Sequence, residues 1–408
     1  MDMISIEEAY EIVLANLPPR RVERVEFQSV LNRVLAEELC ASMDIPPFNR
    51  AAVDGFALRA ADVKAGPVDL ELVGEVRAGS GASATIAPGQ VMAITTGAPV
   101  PSGADALQML EHARSSPDGR RVTILQPVMP GQNIVPQGAE AAVGDTVLEA
   151  GRVLGPAEIA VLATFGCTQA AVWRRPRVAL LVTGDELVEV QETPRRGQIR
   201  NSNAYSLTAQ LRCLGIEPEY LGIAWDNPAD LRRKVEEGLD RDAMVISGGA
   251  SVGPYDFIKT VFKELEIKIL FTRVAVRPGK PAVFGRKGDV LVFGLPGNPV
   301  SSLVSFENFV RPALGRLCGF TRPDLTRIEG ELSSTIRQVP GRTAFLPAIA
   351  SPDGKSWKVS PLPWKGSGDI IGFSRANALV IFPGERNLMA SGERAEALLL
   401  PDYFMRSR

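Results

Sequence analysis

The sequence predicts a multidomain α/β protein whose central element is an open, parallel sheet. Two observations carry that expectation. Apolar runs at Val178 to Val182, Met244 to Ile246 and Val290 to Phe293 lack polar alternation, as strands covered on both faces do. Each run then breaks into a loop of glycines, hydroxyls or carboxylates: Thr183-Gly184-Asp185-Glu186, Ser247-Gly248-Gly249-Ala250-Ser251-Val252-Gly253, and Gly294-Leu295-Pro296-Gly297-Asn298-Pro299. Ligands of open α/β sheets lie beyond the carboxyl ends of the strands. Backbone N–H groups in glycine turns and at helix starts attract phosphate or oxyanions, so the expected ligand is anionic.

The elements follow in order. Ser5 with Glu8 makes a capping box for a helix that buries Ile6, Tyr10, Val13, Leu14 and Leu17, stopped by Pro18-Pro19. From Asp44-Ile45-Pro46-Pro47 to about Gly144, short runs such as Glu71 to Val76 and Val91 to Ile94 are broken by Gly, Pro and Asp. That stretch reads as a small β-rich domain inserted in a helical region. Gly155-Pro156 opens a helix, Ala157 to Phe165, closed by Gly166, and Arg174-Arg175-Pro176 reads as a linker.

After the strand at Val178 come a helix near Asn203 to Leu214, a strand at Glu219 to Ile223, and a helix capped by Asp226 that buries Leu231, Val235 and Leu239. This alternation predicts right-handed crossovers. The glycine loop after Ser247 leads to a helix from about Tyr255 to Leu265, then a strand from Ile267 to Val276, a hairpin around Gly288-Asp289 and a long helix from Pro299 to Leu317. Beyond Pro323, turns at Pro340-Gly341, Pro352-Asp353-Gly354 and Pro383-Gly384 predict a C-terminal β domain of about 80 residues.

Composition narrows the function. A chain of 408 residues exceeds what one core serves, and 45% apolar with 23% charged residues is ordinary for a folded protein. A net charge of −2 argues against nucleic acid or anionic membrane as partner, so any anion site is local. The first residues lack a signal sequence and no run approaches a membrane span, which predicts a cytoplasmic protein. Cys40, Cys167, Cys213 and Cys318 are far apart and read as buried thiols. With His112 the only histidine, catalysis rests on Asp, Glu, Lys, Arg, Ser and backbone amides. A P-loop is missing, and the loop after Ser247 fails the dinucleotide spacing.

Several segments carry chemistry. Asp185 and Glu186 follow a buried strand where paired carboxylates hold hydrated Mg²⁺ against phosphate oxygens, or else cap their own loop. Ser247 to Gly253 offers glycines and hydroxyls with Asp256 at the next helix start; the bland alternative is a tight turn. Arg277-Pro278-Gly279-Lys280-Pro281, with Arg273 before it, holds two cations on a stiff turn, where solvated surface charge is the alternative. Pro296-Gly297-Asn298-Pro299-Val300-Ser301 joins strand to helix, and its amides and Ser301 suit an oxyanion. By composition alone, Ile45 to Ala57 and Ile94 to Asp105 are structural loops.

Together these segments resemble the molybdopterin molybdenumtransferase family, bacterial MoeA and the related domains of gephyrin and its plant counterpart, over nearly the whole chain. The resemblance implies four parts. These are a helical linking domain (1–42 and 146–175), an inserted β-rich lid (43–145), a MogA-like α/β molybdopterin-binding domain (176–324) and a C-terminal β-barrel (325–408). It implies ligation of molybdate to adenylylated molybdopterin with Mg²⁺ and release of AMP by a homodimer. Contacts with the molybdopterin adenylyltransferase and with molybdoenzymes or cofactor carriers are implied too.

Carried over by motif, Asp54 and Thr96 resemble lid residues that face the partner's site, and Glu186, Asp226 and Asp256 resemble the acidic catalytic residues. Asp185, Glu186 and Asp256 would hold the metal. Gly184, Asp185, Ser247, Gly248, Gly249, Ser251, Gly253, Pro296, Gly297 and Asn298 would bind the molybdopterin and AMP moieties. Arg277, Lys280, Pro281, Ser301, Arg342 and Ser367 resemble the groups that hold molybdate. Arg277 stands where many relatives carry lysine, and Val135-Pro136-Gln137 replaces a basic run, while Glu140 keeps the acid after it. Two other readings are a gephyrin-type scaffold or binding module and the sister adenylylation of molybdopterin.

Overall fold

The computed structural model describes residues 3–80, 84–249, 257–354 and 356–401, the Phe257 side chain excepted. The chain forms two compact units, one of 1–36 with 169–408 and one of 37–168.

In the larger unit a six-stranded sheet runs in the order Glu219–Ala224, Val178–Thr183, Ala243–Ser247, Val290–Leu295, Val283–Lys287, Lys268–Phe271. The first four strands are parallel, with Val182 opposite Ser247 and Ser247 opposite Leu295. The last two run antiparallel to their neighbours; between Val283–Lys287 and Val290–Leu295 the tight hairpin at Gly288-Asp289 leaves no room for a crossover. Every residue from Val178 to Thr183 is buried. Val178, Leu180 and Val182 pack on one face with Ala9 and Val13 of the first helix and with the 203–212 and 299–317 helices. Ala179 and Leu181 pack on the other with Leu231, Val235 and Phe262. Period-2 alternation thus fills two cores from one uninterrupted apolar run.

Several boundaries differ from those expected. The helix after the second strand is Pro228–Gly238, capped by Asn227 rather than Asp226: the Asn227 side chain accepts the Ala229 N–H at 2.8 Å. The expected strand 267–276 is two strands in two sheets, Lys268–Phe271 on the α/β sheet and Val276–Arg277 beside the barrel. The long helix is interrupted by a π-turn at Phe306–Val310, between Pro299–Ser305 and Arg311–Leu317. Cys40 and Cys213 are exposed and Cys167 half-buried; only Cys318 is buried, which pushes its thiol up to about 12.

The C-terminal strands close on themselves. Thr343–Asp353, Ser356–Pro361, Arg327–Leu332, Arg394–Leu399 and Ala378–Phe382 pair in turn, and the last pairs back with the first. Leu332, Leu346, Val359, Val380 and Phe382 fill this barrel, which leaves no free edge. In the smaller unit a six-stranded sheet, with Gly55–Leu58 paired to Gln90–Ile94 and to Ala106–Met109, carries the core around Leu58, Val91 and Ile124. The helix Pro156–Thr164 belongs to the same unit.

Candidate functional site

The strand Val178–Thr183 has the second strand of the sheet on one side and the third on the other, so the chain leaves it in opposite directions. A crevice opens at such a switch point. Here a cleft of about 380 Å³ is lined by Thr183, Gly184 and Glu186 from the first loop, Asp226 from the second, Ser247, Gly248 and Gly249 from the third, and Pro296, Gly297 and Asn298 from the fourth. Pro281 also lines it. Loops far apart in the chain meet because their strands are neighbours.

Hydrogen bonds fix the loops to one another. Asn203 Nδ2 donates to Ser247 Oγ at 2.9 Å and to the Gly297 carbonyl at 2.7 Å, tying three segments with one amide. Ser247 Oγ lies 3.2 Å from Ser302 Oγ in the following helix. Asp226 donates its backbone N–H to Asp185 Oδ1 at 2.9 Å. Partial burial, then the neighbouring charges of Asp185 and Glu186, hold the Asp226 carboxyl above the ordinary carboxylate range.

The glycines divide into two kinds. Gly184 N–H donates to the Ala224 carbonyl and Gly248 N–H to the Leu295 carbonyl, so these amides are already paired. Gly248 sits at φ +100°, where an added Cβ would lie 2.4 Å from the Thr183 carbonyl oxygen; no other residue fits. The N–H groups of Gly249 and Gly297 meet no acceptor among the described residues and remain to donate to a ligand.

The remaining expected residues fall beside the cleft or elsewhere. Asn298 Nδ2 donates to Ser367 Oγ at 3.0 Å, and the Ser367 carbonyl accepts Val300 N–H at 3.0 Å, so Ser367 adjoins the cleft through Asn298. Ser301 is buried in the same helix turn. Arg277 does not line the cleft; its Nη1 donates to Gln338 Oε1 at 2.9 Å. Arg342, lowered in pKa by burial and then by Arg277, is its neighbour. Lys280 is exposed next to Pro281. Neither arginine nor Lys280 pairs with a carboxylate among the described residues. Ser251, Gly253 and Asp256 lie outside the described residues. Among the described residues no three acidic, histidine or cysteine groups cluster closely enough to cage a metal. In the smaller unit, Asp54 Oδ1 accepts both the N–H and the hydroxyl of Thr96, at 2.6 and 2.9 Å, which holds its carboxyl below the usual range.

Sequence reasoning gave Thr183 only as part of the first loop and missed Arg200, Asn201, Ser202 and Asn203, all on the cleft wall. The signal was present: a run of small polar residues immediately before a helix, close after the first strand. A larger cavity of about 680 Å³ lies between the first helix and the barrel, but no glycine among the described residues lines it and its wall is rich in carboxylates, Glu7, Glu11, Asp324, Glu385 and Glu396 among them, which suits an anion poorly.

A doubly wound sheet with acidic and glycine loops gathered at its switch point, followed by a closed barrel, defines a ligand-binding α/β protein of the open-sheet kind. Comparison with known proteins makes the assignment specific. Residues 4–166 match the MoeA N-terminal region (domains I and II), 179–316 a probable molybdopterin binding domain, and 329–400 the MoeA C-terminal region (domain IV). The chain is 31% identical over 401 residues to a molybdopterin molybdenumtransferase of Staphylococcus aureus (strain MRSA252), covering 97% of this chain and 95% of that one. It is 32% identical over 401 residues to that of Staphylococcus epidermidis, with the same coverage. The crystal structure of a MoeA protein from Pyrococcus horikosii superimposes with a TM-score of 0.85 at 32% identity, over 98% of this chain and 99% of that one. The chain belongs to the molybdopterin molybdenumtransferase, or MoeA, family. No helix among the described residues is long and apolar enough to cross a membrane.

Proposed function

We propose that the protein inserts molybdate into adenylylated molybdopterin and releases AMP, with Mg²⁺ as the assisting metal. The reading rests on one observation above others: Glu186 and Asp226 share a cleft with the Ser247 and Gly297 loops. Carboxylates beside free amides suit a metal-bound phosphoanhydride.

The donor set fits Mg²⁺. Partial burial first, and then the charges of Asp185 and Glu186, raises the Asp226 carboxyl, and a divalent cation would offset the charge part of that. Mg²⁺ takes one or two protein carboxylates and completes its shell with water and phosphate oxygens, so Glu186 and Asp226 suffice to hold it. When bound, the ion supplies charge neutralisation along the phosphoanhydride.

The chain's own groups do the rest. Gly249 and Gly297 donate backbone N–H bonds to phosphate oxygens. Arg277, Arg342 and Lys280 are cations without carboxylate partners among the described residues and attract the molybdate dianion, with Ser367 as a hydroxyl donor. Asn203 keeps the Ser247 and Gly297 loops at a fixed spacing, so the donors are placed before the ligand arrives. The same reading takes the enzyme as a cytoplasmic homodimer. Incubation with adenylylated molybdopterin, Mg²⁺ and molybdate is expected to release AMP only while molybdate is present; AMP release independent of molybdate overturns the proposal.

A further inference from the structure

We infer that Arg200 is a phosphate-binding residue of the cleft, an assignment that rests on the reading of its ligand as a phosphoanhydride. Arg200 is the one cation among the described residues that line the cleft. Arg277, Lys280 and Arg342, the cations singled out by motif, do not line it. Among the described lining residues, a ligand with a pyrophosphate would therefore meet two acids, Glu186 and Asp226, and a single positive side chain.

Its backbone is held in place. Ile199–Arg200 pairs in parallel with Leu187–Val188, directly after Glu186. Ile199 N–H donates to the Glu186 carbonyl at 2.8 Å and Asn201 N–H to the Val188 carbonyl at 2.9 Å, so Arg200 and Glu186 are fixed on adjoining segments. The guanidinium is anchored as well: Nε donates to the Glu192 carbonyl at 3.0 Å. That bond uses the inner nitrogen and leaves both terminal nitrogens, which meet no carboxylate among the described residues.

A guanidinium with a fixed inner nitrogen and two free outer ones offers a fork that matches two oxygens of one phosphate. Little side-chain entropy is then lost on binding. A carboxylate-bound cation on one flank and Arg200 on the other would divide the negative charge of a phosphoanhydride between them. The paired amides of Gly184 and Gly248 make the demand for such a group greater, because they cannot serve it.

The test uses calorimetric titration of the whole protein with AMP, inorganic pyrophosphate and adenosine. Arg200→Gln is expected to weaken AMP and pyrophosphate roughly tenfold and leave adenosine unchanged, and Arg200→Lys to recover part of the loss. The advantage of the wild type should shrink as salt rises. Since Arg200 is exposed, the variants should melt with the wild type, which a parallel thermal scan checks. Unchanged AMP affinity in Arg200→Gln, equal weakening of AMP and adenosine, or failure of the wild type to bind AMP or pyrophosphate overturns the assignment. The proposed activity is judged separately: molybdate-dependent AMP release by the wild type, with an unaltered KM in Arg200→Gln, rejects Arg200 and leaves the activity standing.

Discussion

Asp185 accepts the backbone N–H of Asp226 at 2.9 Å, so the loop that ends the first parallel strand holds the loop that ends its neighbour. The same carboxylate raises the Asp226 pKa, after the larger effect of partial burial and together with Glu186. One side chain therefore fixes the position of the next acid and contributes to its raised pKa.

Asp185→Asn keeps an acceptor for the Asp226 amide but removes its charge. Asp226 then ionises at lower pH, and if its ionised form is required, the acid limb of the pH–rate profile for AMP release moves down. Asp185→Ala loses the tether as well and is expected to lower kcat more than Asp185→Asn. A limb that stays in place in Asp185→Asn removes Asp226 from the ionisations that limit the rate.

Gly248→Ala places a methyl group 2.4 Å from the Thr183 carbonyl and 2.8 Å from its hydroxyl, on a backbone at φ +100°. A strained conformation of this kind costs about 1–3 kcal/mol, and backbone on the opposing side cannot yield cheaply. Urea unfolding should show that loss, and AMP binding should weaken because the Ser247 loop must shift. A variant with wild-type stability and affinity would mean the loop adapts freely.

The α/β order was legible in the sequence because uninterrupted apolar runs such as Val178 to Val182 occur where both faces are covered, and the glycine loops mark the strand ends. The barrel came from turn residues and from family likeness. What failed was local. Asp226 and Asn227 are both good caps, but Pro228 takes the first helical position, so the residue before it, Asn227, is the cap, a local signal that the sequence reading passed over. The run from Ile267 to Val276 is apolar enough for one strand, yet its two halves serve separate sheets, which no periodicity reveals. Asn203 escaped notice because its role is to join two loops that are neighbours only in the folded sheet.

Asp242 links the starts of two central strands. Arg174 Nη2 donates to its Oδ1 at 2.8 Å and the Arg177 backbone N–H to its Oδ2 at 2.6 Å. Burial raises the carboxyl, but Arg174 and Arg177 outweigh it, so the folded pKa lies below the ordinary value. A depressed pKa gives stability that is present above the unfolded pKa of about 3.9 and is lost as pH falls through the lower folded value. Unfolding free energy should therefore fall steeply below about pH 4 in the wild type. Asp242→Asn is expected to be less stable at pH 7 by about 1–2 kcal/mol and to show a shallower acid decline. Equal acid slopes in the two proteins would exclude this cluster from the acid response.

Glu307 and Arg311 are the buried ion pair of the π-turn, 4% and 6% exposed at their side chains, and Gln210 Nε2 donates to Glu307 Oε1 at 2.6 Å. The pair sits under the helix that begins at Pro299, whose first turn adjoins the cleft. Removing one partner leaves a buried charge without compensation and costs about 3–5 kcal/mol, whereas replacing both with apolar groups of similar volume is close to neutral. Glu307→Ala and Arg311→Ala should each lower the urea midpoint strongly. Glu307→Leu with Arg311→Met should restore most of the stability, less the lost Gln210–Glu307 hydrogen bond, since Gln210 Nε2 keeps its bond to the Leu303 carbonyl, and a double variant no better than either single one would show that the polar network, not the apolar packing, keeps the π-turn in place.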